Sequence, residues 1–289
     1  MKSNSKQILK QLGLGKTISQ ICEDENITSS QFDSWWKSET KSRIPLTNGD
    51  KTLLKQGSAQ IYRDKWGVPH IYGSDSESLF FAYGYAMAQD RLWQMDYFKR
   101  RALGRLSEVL GPTEIEQDTV SKTIGLENIA ENEINNLPEK TLSKLSAFSD
   151  GINSLIKQSE LLPIEFDILD YEPEKWTSKD SIAILAEFRW YLTGRLPVIA
   201  IPEFAKRTLQ NENLYQEFIT GEAESESIVP EGYYQKDTST TKNGGGVVSE
   251  PNEGQGSNNW VINASKSKNN APMVASDPHI AFTLSLIHI

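Results

Sequence analysis

The chain has 289 residues, a net charge of −9 and an isoelectric point near 5.0, which argues against a nucleic-acid partner and for an ordinary soluble protein. Its one cysteine, Cys22, excludes an internal disulfide and the usual zinc-site spacings. No long apolar run opens the chain, so neither a secretory signal nor a membrane span is read there, and the expected compartment is the cytoplasm.

Residues 6–40 read as two short helices joined near Asn26-Ile27-Thr28-Ser29. Ile8, Leu9, Leu12, Ile18 and Ile21 fall at helical spacing, and Phe32, Trp35 and Trp36 follow a serine cap. A helix-turn-helix is one reading. The seven basic and five acidic side chains of residues 2–43 make a poor footprint for DNA and favour a helical prelude packed on the main body. Residues 43–56 are a polar connector. Ala59-Gln60-Ile61-Tyr62-Arg63 alternates as a strand does, Lys65-Trp66-Gly67 turns it, and Pro69-His70-Ile71-Tyr72 starts a second strand. His70 is either catalytic or a strand-end histidine satisfied by nearby backbone.

Ser74-Asp75-Ser76-Glu77 is a capping signature for a long helical region reaching Gly111-Pro112. Leu79, Phe80, Met87, Leu92, Met95, Leu103 and Leu106 give it a broad apolar face. Gly84 and Gly104 let other elements approach or break the run. Gln89, Asp90 and Arg91 are either catalytic or a polar network that fixes the helix. Residues 124–160 read as two amphipathic helices, and residues 161–176 as an extended, proline-marked connector. Ser178-Lys179-Asp180 caps a helix running through Phe188-Arg189-Trp190-Tyr191-Leu192.

Residues 220–256 change character: seven glycines and seven acids against two lysines, too polar to build a core. Trp260-Val261-Ile262 follows as a β-prone run expected to be buried, with a return strand at Met273-Val274-Ala275. A hairpin turning between Lys268 and Asn269 sets Ser257 opposite Ile280, beside His279. Local pattern alone thus brings a hydroxyl and an imidazole together at the open end of the hairpin; an ordinary hairpin with a loop serine and a surface histidine fits the same pattern.

Gly256-Ser257-Asn258-Asn259-Trp260-Val261, followed by Asp277-Pro278-His279, resembles the penicillin acylase (penicillin amidase) family of N-terminal-nucleophile hydrolases. A second stretch agrees: Tyr62-Arg63-Asp64-Lys65-Trp66-Gly67-Val68-Pro69-His70-Ile71, then Phe81-Ala82-Tyr83-Gly84-Tyr85-Ala86-Met87-Ala88-Gln89-Asp90-Arg91-Leu92, continuing into Gly104-Arg105-Leu106-Ser107-Glu108. The resemblance covers roughly residues 58–284. It implies an α+β fold, the αββα sandwich of these hydrolases, incomplete here, with a mainly helical small subunit. The corresponding organisation is a helical extension and connector (1–50), a small-subunit region (51–219), an excised spacer (220–256) and the truncated start of a catalytic large subunit (257–289). Ser285-Leu286-Ile287-His288-Ile289 departs from the family's next segment, so a truncated precursor, poorly soluble and inactive by itself, is expected.

The resemblance also implies chemistry. Self-cleavage between Gly256 and Ser257 frees an α-amine that serves as base for the Ser257 hydroxyl in amide hydrolysis, and His279 orients the nucleophile and supports the oxyanion. Arg189, Trp190, Tyr191 and Ile280 are candidate acyl-pocket residues, the first three being equally readable as core. Glu203 is a candidate ligand for a structural calcium. No metal or organic cofactor is needed for the chemistry, and the expected partners are a small-molecule amide and the two subunits of one precursor, with no nucleic acid and no membrane. An acyl-homoserine-lactone acylase of the same family is the alternative activity, and a non-catalytic remnant built on the small-subunit helices the alternative class.

Overall fold

The computed structural model describes residues 4–44, 51–53, 59–192, 195–220 and 256–279, without side chains at 51–53, 195–199, 220, 256–258 and 277–279. The chain divides into two units, Met1–Glu187 and Phe188–Ile289, the division falling inside a helix. The described residues are mostly helical with five strands, an α+β composition.

The first unit opens with α1 (Ser5–Gly13), α2 (Ile18–Glu25) and α3 (Ser29–Ser42). Two helices were expected here, and three form. Gly15 takes a φ of 86° that stops α1, and Thr17 opens α2 with a reciprocal capping box to Gln20, so one apolar stripe is cut in two. Thr28 caps α3 through Gln31 in the same way. Next come β1 (Lys51–Leu53), β2 (Gln60–Arg63) and β3 (Pro69–Tyr72), an antiparallel sheet in that order. The last two match the alternation in the sequence; β1 lies within what reads as connector.

The spine is α4 (Ser76–Leu103), opened by a capping box between Asp75 and Ser78 and closed by Gly104 at φ 63°. Ala82, Ala86, Leu92, Met95, Ala102 and Leu103 are buried along it. After α5 (Ser107–Leu110), α6 (Ile115–Ile124) and α7 (Leu126–Asn136) comes α8 (Glu139–Gln158), which packs on α4. Each helix brings a glycine to the crossing. A Cβ on Gly84 would lie 2.0 Å from the Phe148 carbonyl oxygen, and one on Gly151 1.9 Å from that of Phe81. Gly84 therefore serves close approach and Gly104 ends the helix.

The connector of residues 161–176 holds a short helix, α9 (Ile164–Ile168), and leads into α10 (Ser178–Leu192). Asp180 accepts from the backbone N–H and hydroxyl of Thr177 to start α10. The second unit contains α11 (Arg195–Leu209), α12 (Glu212–Thr220) and the hairpin β4 (Gly256–Ile262) and β5 (Met273–His279). No described helix is long and apolar enough to cross a membrane.

Candidate active site

The hairpin forms, in a register two residues from the one expected. Ser257 faces Pro278, and Gly256 faces His279. The difference comes from the loop. Asn263 caps a 3₁₀ turn at Ala264–Lys266, Ser267 accepts from the Asn270 amide, and Asn270 adopts φ 51°. These bonds consume residues a tight turn would have left to the strands. A shift of two keeps every side on its own face, because strand periodicity is two. Gly256-Ser257 and Pro278-His279 thus still meet at the open end of one hairpin, while Ile280 lies outside the described residues.

Burial of the strand core was the other expectation, and it fails. Trp260 is 53% exposed, Val261 71% and Val274 79%. Among the described residues β4 pairs with β5 alone, and a two-stranded ribbon cannot cover both of its own faces.

Four further candidates sit in the second unit's helices. Arg189 and Tyr191 are exposed and Trp190 is half-buried at the end of α10. Glu203 accepts a 2.7 Å hydrogen bond from Arg207, one turn on in α11. Among the described residues no group of three histidine, cysteine or acidic side chains could hold a metal ion. Calcium takes six to eight oxygens, and the Glu203 carboxylate, held by Arg207, would supply at most two.

Near the start of the matched motif, Gln89 and Asp90 belong to a polar network. The buried Arg63 guanidinium donates to Asp90 at 3.1 Å, to Gln89 at 2.8 Å and to the Gly67 carbonyl at 2.9 Å. This ties the β2–β3 turn to α4 beside Arg91, whose φ of −143° bends the helix. His70 is satisfied by a side chain rather than by backbone: Nε2 lies 3.2 Å from Asp64 Oδ2. Desolvation pulls the Asp64 carboxyl upward. Hydrogen bonds from His70 and from the Trp66 and Val68 amides outweigh it and hold the group below its ordinary value.

A buried charge cluster went unread in the sequence. Asp96 accepts from Arg100 Nε at 2.8 Å and from the Tyr171 hydroxyl at 3.0 Å, and lies 3.1 Å from Lys99 Nζ. Burial, then the adjacent Asp96, drives the Tyr171 phenol well above its usual range. Spacings of three and four residues on one helix were the available signal.

The family model for penicillin amidase matches residues 58–288. The penicillin acylase 2 proenzyme of Pseudomonas sp. (strain SE83) is 30% identical over 236 residues, covering 78% of this chain and 30% of that protein. An acyl-homoserine lactone acylase of Pseudomonas aeruginosa is 30% identical over 167 residues, covering 56% of this chain and 20% of that protein. Among solved structures, a thermostable penicillin G acylase from Alcaligenes faecalis is 27% identical at a TM-score of 0.47, covering 56% of this chain and 90% of that one. The chain thus spans 30% or less of the length of these two curated relatives.

Proposed function

The chain belongs to the penicillin amidase family, and we propose that within it Ser257 is the nucleophile of an amide-hydrolysing acylase released by self-cleavage after Gly256. One observation carries this reading: the β4–β5 register sets Gly256 and Ser257 across from His279 and Pro278, inside the matched region.

The Ser257 hydroxyl first attacks the Gly256 carbonyl, giving an ester that water opens. Glycine lacks a Cβ to obstruct that approach. The freed α-amine, with an ordinary pKa of about 7.7–8, is substantially neutral near pH 7 and removes the hydroxyl proton in each turnover. Ser257 Oγ then adds to the substrate amide, the amine product departs with a proton, and water hydrolyses the acyl-enzyme. His279 positions the nucleophile and supports the oxyanion, and Arg189, Trp190 and Tyr191 contribute to the acyl pocket. The product of processing is a heterodimer from one precursor. The likeness to an acyl-homoserine lactone acylase supports that class of amide as the second candidate substrate beside penicillin-type N-acyl groups.

The test is mass spectrometry on the protein that contains this chain. A subunit beginning at Ser257 is expected, and Ser257→Ala should leave the chain uncut. Cleavage of the mutant at the same bond would assign the cut to an outside protease. Assays with a phenylacetyl anilide and with an N-acyl homoserine lactone then separate the two substrate classes.

A further inference from the structure

We infer that residues 4–44 are a self-folding clamp that docks in cis on residues 162–171 through opposed charges, and that this docking orders the segment leading to the buried Asp96 cluster. The clamp lies ahead of the family match, which begins at residue 58.

Its independence rests on a core of its own. Ile8, Ile21, Cys22 and Phe32 are buried together, with Leu12, Ile27, Trp35 and Trp36 packed against them. Trp35 Nε1 donates to Ser5 Oγ at 3.1 Å, closing α3 on α1. Asn4, Thr17 and Thr28 cap the three helices from within.

The seam is cationic on the clamp and acidic on its target. Lys6 lies 3.6 Å from Asp167, and Lys10 2.5 Å from Asp170. The decisive contact is Arg43, whose side chain is 5% exposed. It pairs with Asp167 at 2.7 Å, donates to the Leu162 carbonyl at 2.7 Å, and is held by Glu39 on its own helix at 2.7 Å. Backbones touch as well: a Cβ on Gly13 would fall 1.7 Å from the Ile168 carbonyl oxygen.

What the clamp holds follows from the next residues. Asp170, paired to Lys10, turns the chain out of α9 with a left-handed φ of 56°, which aspartate adopts more readily than most side chains. Phe166 is buried with its ring 5.0 Å from that of Tyr171, and Tyr171 donates to Asp96. Release of α9 would therefore loosen the Tyr171 contact on α4.

Hydrogen exchange on the intact chain tests this, with Gly13→Ala, Arg43→Met and Asp170→Lys compared with wild type. Amides of residues 164–171 should exchange about tenfold faster in each variant while those of α2 and α3 keep their protection. Wild type should move the same way in about 1 M salt, where screening shortens to about 3 Å. Lys10→Asp added to Asp170→Lys should restore protection to within about threefold by reversing the pair. Unchanged exchange at 164–171 in all three variants would overturn the clamp. Loss of α2 and α3 protection in step with α9 in Gly13→Ala would overturn its independence.

Discussion

Replacing Asp96 by asparagine tests whether the buried cluster holds the first unit together. Asp96 is 1% exposed, and Lys99 and Arg100 are 1% and 3% exposed beside it. Removing one partner of a buried pair strands the other charge, typically at about 3–5 kcal/mol. Here neither cation is left alone. Arg100 keeps Glu108 at 2.9 Å, while Lys99 keeps Glu174 at 3.8 Å and the Trp176 ring at 5.6 Å. That places the expected loss near the low end, about 3 kcal/mol, or roughly 6–12 °C in melting temperature for a unit of this size. The control is Arg105→Met at the rim. Arg105 and its partner Glu174 are 30% and 45% exposed, and a pair so solvated contributes about 1 kcal/mol at most. Thermal unfolding followed by circular dichroism reads both variants. If Asp96→Asn costs no more than Arg105→Met, the cluster is solvated and the burial argument is wrong.

Gly84→Ala gains helix propensity of about 1 kcal/mol, yet its Cβ meets Phe148 backbone at 2.0 Å, so a net loss of about 1–3 kcal/mol is expected by urea titration. A stabilised variant would refute the crossing. Acid should weaken the Arg105 rim. The Arg105 hydrogen bond holds the Glu174 and Glu108 carboxyls below their ordinary value of 4.5, against desolvation that raises them. Their folded pKa values are depressed, so their contribution is present above pH 4.5 and is lost as pH falls through the folded values. Arg105→Met should flatten that dependence, measured as melting temperature against pH. His279→Ala, in the protein containing this chain, should lower kcat by about one to three orders of magnitude; a change under about threefold would leave His279 with a structural role only.

Local chemistry was legible wherever neighbours in sequence decide the outcome. The Asp75 capping box, the β2–β3 alternation and the α7–α8 pair all follow from contacts a few residues apart, whereas the helical run read as far as Gly111 stops at Gly104. The motif residues were readable for the same reason: Gly256-Ser257 and Pro278-His279 need only a hairpin to meet. Arg63 could be seen as part of a motif, but not as the group that holds Gln89 and Asp90. That role needs the turn after β2 to reach α4 across some 26 residues of separation.

By itself, then, the sequence determined α4, α7, α8 and α10, the Asp75 cap, the hairpin and the face each strand residue occupies, since a period of two survives a shift of two. The register was set by local bonds of the capped loop from Asn263 to Asn270, which a tight turn at Lys268-Asn269 does not contain. Tertiary structure alone set Gly84 against the Phe148 backbone and Gly151 against that of Phe81, because nothing local announces which two helices will cross at backbone distance. It also set burial: the apolar run at Trp260 has the composition of a core strand, but burial depends on what lies against a strand, and among the described residues β5 alone pairs with it.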